Sequence, residues 1–448
     1  MRKGISTTII LSIVLIIVIG GVTTTYIKNQ NISVREKSLS SIPQLGNLCS
    51  GSEECDEYCY GNSLECEEYC RGHPKNPTCQ ERFAFVYEEE YKLLQKVTPQ
   101  KTQGCTGKGT VSFTSPPRRL KDIEFIEPIG LMVGGHVTPI DHGYYYPPNW
   151  KPQDNPAEFK DVLSPANGTI TNIQLVGGKQ GDYRLVIHHT CTFYTIYIHV
   201  KELSPKIAQT IGDFSSMSKN TNIPVSAREV IGRANGFDFS VHDDETVLKG
   251  FIIPEHYDAE PWKIRTVNMF DYFVEPIKSQ LLAKNVREAE PRGGKIDYDI
   301  DGRLVGNWFV ENTNGYRGGG VAPDYWNTHL AFAYDGLDHS LIIVSMGNFS
   351  GEAKQFAVKG NSPDPASVSM STGIVKYELV DVEYIIKDTG QYWDRISYAK
   401  GLKAVGIEQV HGVVLVQLIE DRKIKFETFP EKTAAEVTGF TNPTIYER

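Results

Sequence analysis

Arg184-Leu185-Val186-Ile187-His188 is followed, after a short break, by Phe193-Tyr194-Thr195-Ile196-Tyr197-Ile198. Both runs are rich in β-branched and aromatic residues and are bounded by turn formers, so they read as neighbouring strands. Upstream, Gly168-Thr169-Ile170-Thr171-Asn172-Ile173 has the same texture. Such runs recur about every ten residues with no helical pattern between them, which predicts an antiparallel sandwich or barrel. Pro254, Pro261, Pro276 and the run Glu290-Pro291-Arg292-Gly293-Gly294 mark the exit from this region.

Beyond that exit, Leu330–Tyr334, Leu341–Val344, Val413–Leu418 and Lys423–Glu427 are again β-patterned. About 150 residues of alternating strands suit an eight-stranded closed sheet. Gly306-Asn307-Trp308 at its start resembles the Gly-x-Trp signature of lipocalin-type barrels, which implies a tryptophan closing one end. A plain β-domain is the competing reading.

The chain has 448 residues, 40% apolar and 23% charged, enough for two or three folded bodies. Its 23 tyrosines and 40 glycines favour strands and turns over helical bundles. A net charge of −9 with no Lys/Arg-rich run argues against a nucleic-acid partner, which needs a basic face.

At the N-terminus, Arg2 and Lys3 precede an apolar stretch; Ile5 to Tyr26 spans 22 residues. As a helix that is about 33 Å, enough to cross a bilayer. The basic flank places the bulk of the chain outside the cytoplasm. A cleaved signal peptide is the alternative, but no alanine precedes Ala84, so an A-x-A-like site is missing. The expected organisation is an anchor over 1–27, a tether and Cys-rich helical segment over 28–115, a β-domain over 116–290 and a second β-domain over 291–448.

The Cys-rich segment contains a small repeat, Cys55-Asp56-Glu57-Tyr58-Cys59 and Cys66-Glu67-Glu68-Tyr69-Cys70. Cysteines four apart share a helix face, and outside the membrane they are expected to form disulfides. A metal site is the rival, though its usual spacing is C-x2-C. Cys191 stands apart beside Phe193-Tyr194 and reads as a buried thiol.

Ahead of the central strands lies Gly134-Gly135-His136-Val137-Thr138-Pro139-Ile140-Asp141-His142. It is followed by Ser164-Pro165-Ala166-Asn167-Gly168-Thr169-Ile170, by Tyr197-Ile198-His199, by Val230-Ile231-Gly232 and by Phe237-Asp238-Phe239-Ser240-Val241-His242. This succession resembles the lysostaphin-like zinc metallopeptidases, peptidoglycan hydrolases with the duplicated hybrid motif fold, over about 130–245. The resemblance implies zinc, a cell-envelope peptide or glycopeptide as substrate, His136 and Asp141 as the first two ligands, and His199 as the catalytic histidine. Such a site needs about three His or carboxylate ligands and an open position for water.

The chain departs from that pattern in places. Four residues separate His136 from Asp141 where the family has three, so the register needs a bulge or a different ligand such as His142. The family's His-x-His falls on Gly236-Phe237-Asp238, leaving Asp238 at the third ligand position. His242 lies four residues on, on the same strand face, and is the other candidate there. The competing reading is a non-catalytic surface module that uses the groove for binding.

Asp297-Tyr298-Asp299-Ile300-Asp301-Gly302 matches the first half of a calcium loop, with Asp297, Asp299 and Asp301 as candidate ligands. The twelfth position is Trp308 rather than Glu, which excludes an EF-hand. Asn31, Asn167 and Asn348 each begin an N-x-S/T sequon.

Overall fold

The computed structural model describes residues 105–212, 217–319 and 325–448. The apolar N-terminal span, the tether and the paired-cysteine repeat lie outside these residues. Among the described residues, no helix is long and apolar enough to cross a membrane.

Among its described residues the chain is mainly β. Its first part carries β1 (Phe125–Glu127), β2 (Gly143–Tyr146), β3 (Lys160–Leu163), β4 (Gly168–Leu175), β5 (Tyr183–His188), β6 (Phe193–Val200), β7 (Glu202–Leu203), β8 (Ser218–Val225), β9 (Val230–Ala234), β10 (Phe237–Asp243) and β11 (Thr266–Val267). One antiparallel sheet runs β1-β2-β10-β6-β5-β4-β8, with β11 also on β10; a small sheet runs β3-β9-β7. Among the described residues helices are few and short, among them α1 (Pro205–Ile211) and α2 (Ile277–Leu282).

One face of the large sheet packs on the small sheet and both helices. Phe237, Phe239 and Val241 of β10 join Tyr197 and Val200 of β6, Val162 of β3, Ile231 of β9, Ile207 of α1 and Leu281 of α2. Every residue of β10 is buried, so its other face is covered as well. That second face carries Asp238, Ser240 and His242, because side chains alternate along a strand.

Cys191, expected as a buried thiol, is instead bonded to Cys105 across 86 residues of sequence. The apolar run that suggested burial belongs to β6, whereas Cys191 sits in the half-exposed turn before it. The segment after Cys105 docks on that turn: Cys191 N–H donates to Gly107 O, Thr190 Oγ1–H to Gly109 O, and Gly109 N–H to Thr192 Oγ1.

The second part closes into a barrel of β12 (Gly306–Val310), β13 (His329–Tyr334), β14 (Ile342–Phe349), β15 (Glu352–Val358), β16 (Val375–Ile386), β17 (Leu402–Glu420), β18 (Lys423–Pro430) and β19 (Thr444–Glu447). The strands pair in chain order, all antiparallel, and β19 closes on β12 at Phe309↔Glu447 and Val310↔Tyr446. Full closure leaves no unpaired edge. Trp308, Phe332, Tyr377 and Phe426 belong to one buried cluster.

Trp308 is fully buried; its Nε1–H donates to Leu304 O at 2.8 Å, and the Arg448 guanidinium lies 4.0 Å from its ring centroid. The same guanidinium caps the carbonyls of Ile300, Arg303 and Val305 and faces Asp299 at 3.5 Å. Gly306 has φ +119°, and a Cβ there would run into Asp299 Oδ1, so the tight approach requires glycine.

β16 and β17 are long, and the hairpin reaches past the barrel. Tyr384, Trp393 and Leu402 from this hairpin share a core with Phe125 of β1 and Val286. The two β-parts therefore pack through a common apolar cluster.

Two stability outcomes follow. Replacing Cys105 and Cys191 together by Ser should lower unfolding free energy by about 2–5 kcal/mol, the usual range for losing a disulfide that closes a long loop. Chemical denaturation of the double variant against the parent measures it, and overlapping curves would contradict the assignment. Trp308→Ala should cost about 3–5 kcal/mol through cavity formation; Trp308→Phe should cost clearly less, and equal losses would argue against the packing described.

Candidate functional site

Asp238 lies midway along the second face of β10, directly opposite Ile198 of β6 and Tyr144 of β2. Its side chain is 6% exposed. Burial raises its pKa, while His142 and His199 beside it pull the other way. The site is built around this carboxylate.

His199 reaches that face because β6 is irregular. Tyr183 pairs with Val200 and Leu185 with Tyr197, so two steps on β5 oppose three on β6. His199 sits in this bulge with φ +66°, a conformation rare for residues other than glycine. Tyr197 and Val200, three apart, both point into the core. Without the bulge they would face opposite sides, and His199 would point into the core instead.

The His199 ring is held at both ends. Nδ1 lies 3.0 and 3.1 Å from the two Asp182 oxygens, and Nε2 lies 3.8 Å from Asp238 Oδ2. Lys201 Nζ–H donates to Asp182 Oδ2 at 2.8 Å and approaches Asp154 at 3.3 Å. Burial works against charge on His199, but the Asp182 hydrogen bond and Asp238 outweigh it and raise its pKa.

His142 enters from the start of β2, on the same face as Tyr144, its ring edge-to-face with that tyrosine at 5.5 Å. Its Nδ1 is 3.0 Å from Asp141 Oδ1. Its Nε2 is buried with no hydrogen-bond partner and lies 3.4 Å from Asp238 Oδ2. His136 stands at the exposed rim, its ring edge-to-face with His142 at a centroid distance of 5.4 Å.

The loop that carries His136 is fixed from the barrel. Gln355 of β15 accepts from Gly134 N at 2.9 Å and donates to Gly134 O at 3.0 Å. A Cβ on Gly135 would meet the Trp326 ring at 2.9 Å, so only glycine lets that indole pack so closely. Below the loop, Lys263 is fully buried and donates to Pro139 O at 2.7 Å. Burial lowers its pKa against the pull of Asp141 and Glu260. Burial would raise Asp141, but the His142 hydrogen bond and Lys263 outweigh it and hold the carboxyl far below its ordinary range.

Of the sequence candidates, Asp238 and His199 stand 3.8 Å apart, Asp141 lies against His142, and His136 touches the ring of His142. His242 is turned to other partners: Ser240 Oγ at 2.7 Å from Nε2 and Trp262 O at 3.0 Å from Nδ1, with Tyr194 stacked on its ring. Asp182 and Lys201 were not singled out. Lys201 was legible as the residue two beyond His199 near one strand end, but Asp182 depends on the β5–β6 register.

Imidazole and carboxylate are donor types that zinc takes. Two ligand atoms at 2.0–2.2 Å from a tetrahedral ion lie about 3.4 Å apart, and two imidazoles on it have centroids roughly 5 Å apart. The His142–Asp238 and His136–His142 separations are close to both values. Among the described residues no group of three or more His, Cys, Asp or Glu side chains is placed so that it could hold a metal ion.

Just ahead of the barrel, Asp297 accepts from Gly250 N and pairs with Lys295, Asp299 accepts from Asn307 N and Ile252 N, and Asp301 pairs with Arg422. Each of the three is turned to its own partners. Compared with known protein families and with curated proteins, the chain matches none.

Glu127 of β1 borders the same face, and Tyr146 Oη–H donates to its Oε2 at 2.9 Å. Burial pushes its carboxyl up to about 7, against that hydrogen bond. The folded chain binds this proton more tightly than the unfolded chain, where Glu titrates near ~4.3. The stabilisation is therefore complete below the unfolded value and is lost as pH rises through about 7. Glu127→Gln should be less sensitive to a change from about pH 5 to about pH 8 than the parent, as read by denaturation at each pH. Parallel pH profiles would refute this.

Proposed function

We propose that the first β-part is a divergent lysostaphin-like domain that binds one zinc ion through His136, His142 and Asp238 and hydrolyses amide bonds in cell-envelope peptide or glycopeptide. The observation that carries this reading is the buried His142 Nε2, which has no hydrogen-bond partner and lies 3.4 Å from Asp238 Oδ2, with His199 Nε2 3.8 Å from the same oxygen. A buried imidazole nitrogen without a hydrogen bond is costly, and a metal held between it and the carboxylate would satisfy it. Asp141 on the far nitrogen of His142 is the arrangement that fixes a metal-ligating imidazole.

When bound, zinc supplies a polarised carbonyl and an acidified water. His199 does the proton transfer: its Nε2 takes a proton from the attacking water and returns it to the leaving nitrogen as the C–N bond breaks. One amide and one water give one carboxylic acid and one amine. Tyr144, opposite Asp238 and half-exposed, lines the approach.

The apolar N-terminal span supports a membrane-tethered, extracytoplasmic setting, with an envelope polymer or surface protein as partner. A second reading, a non-catalytic binding module, is favoured by Gly236 standing where the family has another histidine.

Metal analysis of the purified full-length chain tests the site. Zinc should be present at about one per chain and fall several-fold in His142→Ala at neutral pH. Stoichiometry near zero in the parent, or no fall in the variant, overturns the metal reading. Incubation with envelope material or a Gly-rich peptide should release new amines, lost in His199→Ala; zinc retention without release selects the binding module.

A further inference from the structure

His199 is the one member of the cluster whose placement rests on a strained backbone. A φ of +66° in a bulge leaves the ring to be aimed by what it touches, not by regular strand geometry. What it touches on the outer side is Asp182, through both carboxylate oxygens. Asp182 is itself held, because Lys201 Nζ donates to Oδ2 at 2.8 Å.

We propose that Asp182, anchored by Lys201, is a positioning residue that keeps the His199 proton on Nδ1 and presents Nε2 to the reacting water. This rests on the hydrolytic reading above. Its parts are on the page: a carboxylate accepting from Nδ1, an imidazole whose Nε2 faces the reaction side, and a lysine that stops the carboxylate from rotating away. The carboxylate does two things. It selects the tautomer with a basic Nε2, and it stabilises the imidazolium formed when that nitrogen takes the proton from water. Asp182 keeps its charge throughout, since the proton moves only between water, Nε2 and the leaving amine. Lys201 also faces Asp154 at 3.3 Å, so it is shared between two carboxylates and does not neutralise Asp182 alone.

The alternative is that Asp182, His199 and Lys201 are an ion-pair group that merely ties β5 to the end of β6. The Lys201 and Asp182 side chains are only 18% and 14% exposed, so removing one would lower melting, but a purely structural group would leave the His199 tautomer and the chemistry unmoved. The two roles therefore separate by readout.

The test uses the full-length chain labelled with 15N-histidine, with the His199 signals assigned by loss in His199→Gln. Nitrogen NMR of the parent should show His199 protonated on Nδ1, and Asp182→Ala should move a large fraction of the neutral ring to the Nε2-protonated form. Asp182→Asn and Lys201→Met should keep the parent's zinc content while lowering hydrolysis of a Gly-rich peptide about 10- to 100-fold, the range for partners of this kind. The loss should appear in kcat with little change in KM, and Asp182→Glu should recover part of it. An unchanged His199 tautomer in Asp182→Ala, or undiminished hydrolysis in Asp182→Asn, overturns the positioning role and leaves the hydrolytic reading standing. A parent chain that neither holds zinc nor cleaves overturns the hydrolytic reading, and the inference with it.

Discussion

A carboxylate buried in the middle of a strand is the constraint from which the rest of this site follows. Asp238 occupies a position where both faces of β10 are covered, so its charge has to be met by neighbours on its own face. Two imidazole nitrogens meet it, one from each adjoining strand. Each of those imidazoles in turn carries a carboxylate on its far nitrogen, Asp141 for His142 and Asp182 for His199. The pattern is a short alternating chain of acid and imidazole, and it explains why β6 must bulge: only the irregular register turns His199 toward Asp238.

The barrel is part of this arrangement because it shares surfaces with the first sheet. Gln355 holds Gly134 by both of its amide groups, and the Trp326 indole packs on Gly135. The loop bearing His136 is thus fixed by residues more than 190 positions away in the chain. The β16–β17 hairpin adds the apolar contact, through Trp393 and Tyr384 against Phe125. A barrel acting as a buttress is consistent with its inner face, where large buried side chains such as Trp308 and Tyr377 pack together.

Much of this was legible in the sequence and some was not, for identifiable reasons. The β-runs after Gly168 and after Gly306 are strong period-two patterns, and the mainly β architecture and closed barrel follow from them. The ordered series of short motifs pointed to His136, Asp238 and His199, of which His199 and Asp238 stand 3.8 Å apart. Cys191 was misread because burial was inferred from the neighbours in β6, while the disulfide depends on where the segment after Cys105 docks. His142 was only a fallback in the series, since adjacent Asp141 and His142 cannot be told apart until the start of β2 is placed. Asp182 was invisible because its role depends on a bulge, and a one-residue irregularity leaves no signal in hydrophobic periodicity.

The burial gradient across the group decides how it could be used. The His142 and Asp238 side chains, at 9% and 6% exposure, form a floor that solvent hardly reaches. The His199 side chain is 42% exposed and His136 is open to solvent at the rim. A structural metal site would be enclosed on every side, as zinc sites that only hold a fold usually are. Here the enclosed donors lie on one side and the exposed imidazoles on the other, with half-exposed Tyr144 between them. Exposure therefore falls from the His136 and His199 rim to the Asp238 carboxylate. On the hydrolytic reading proposed above, that gradient suits a group that acts on something arriving from outside more than one that pins the two β-parts together.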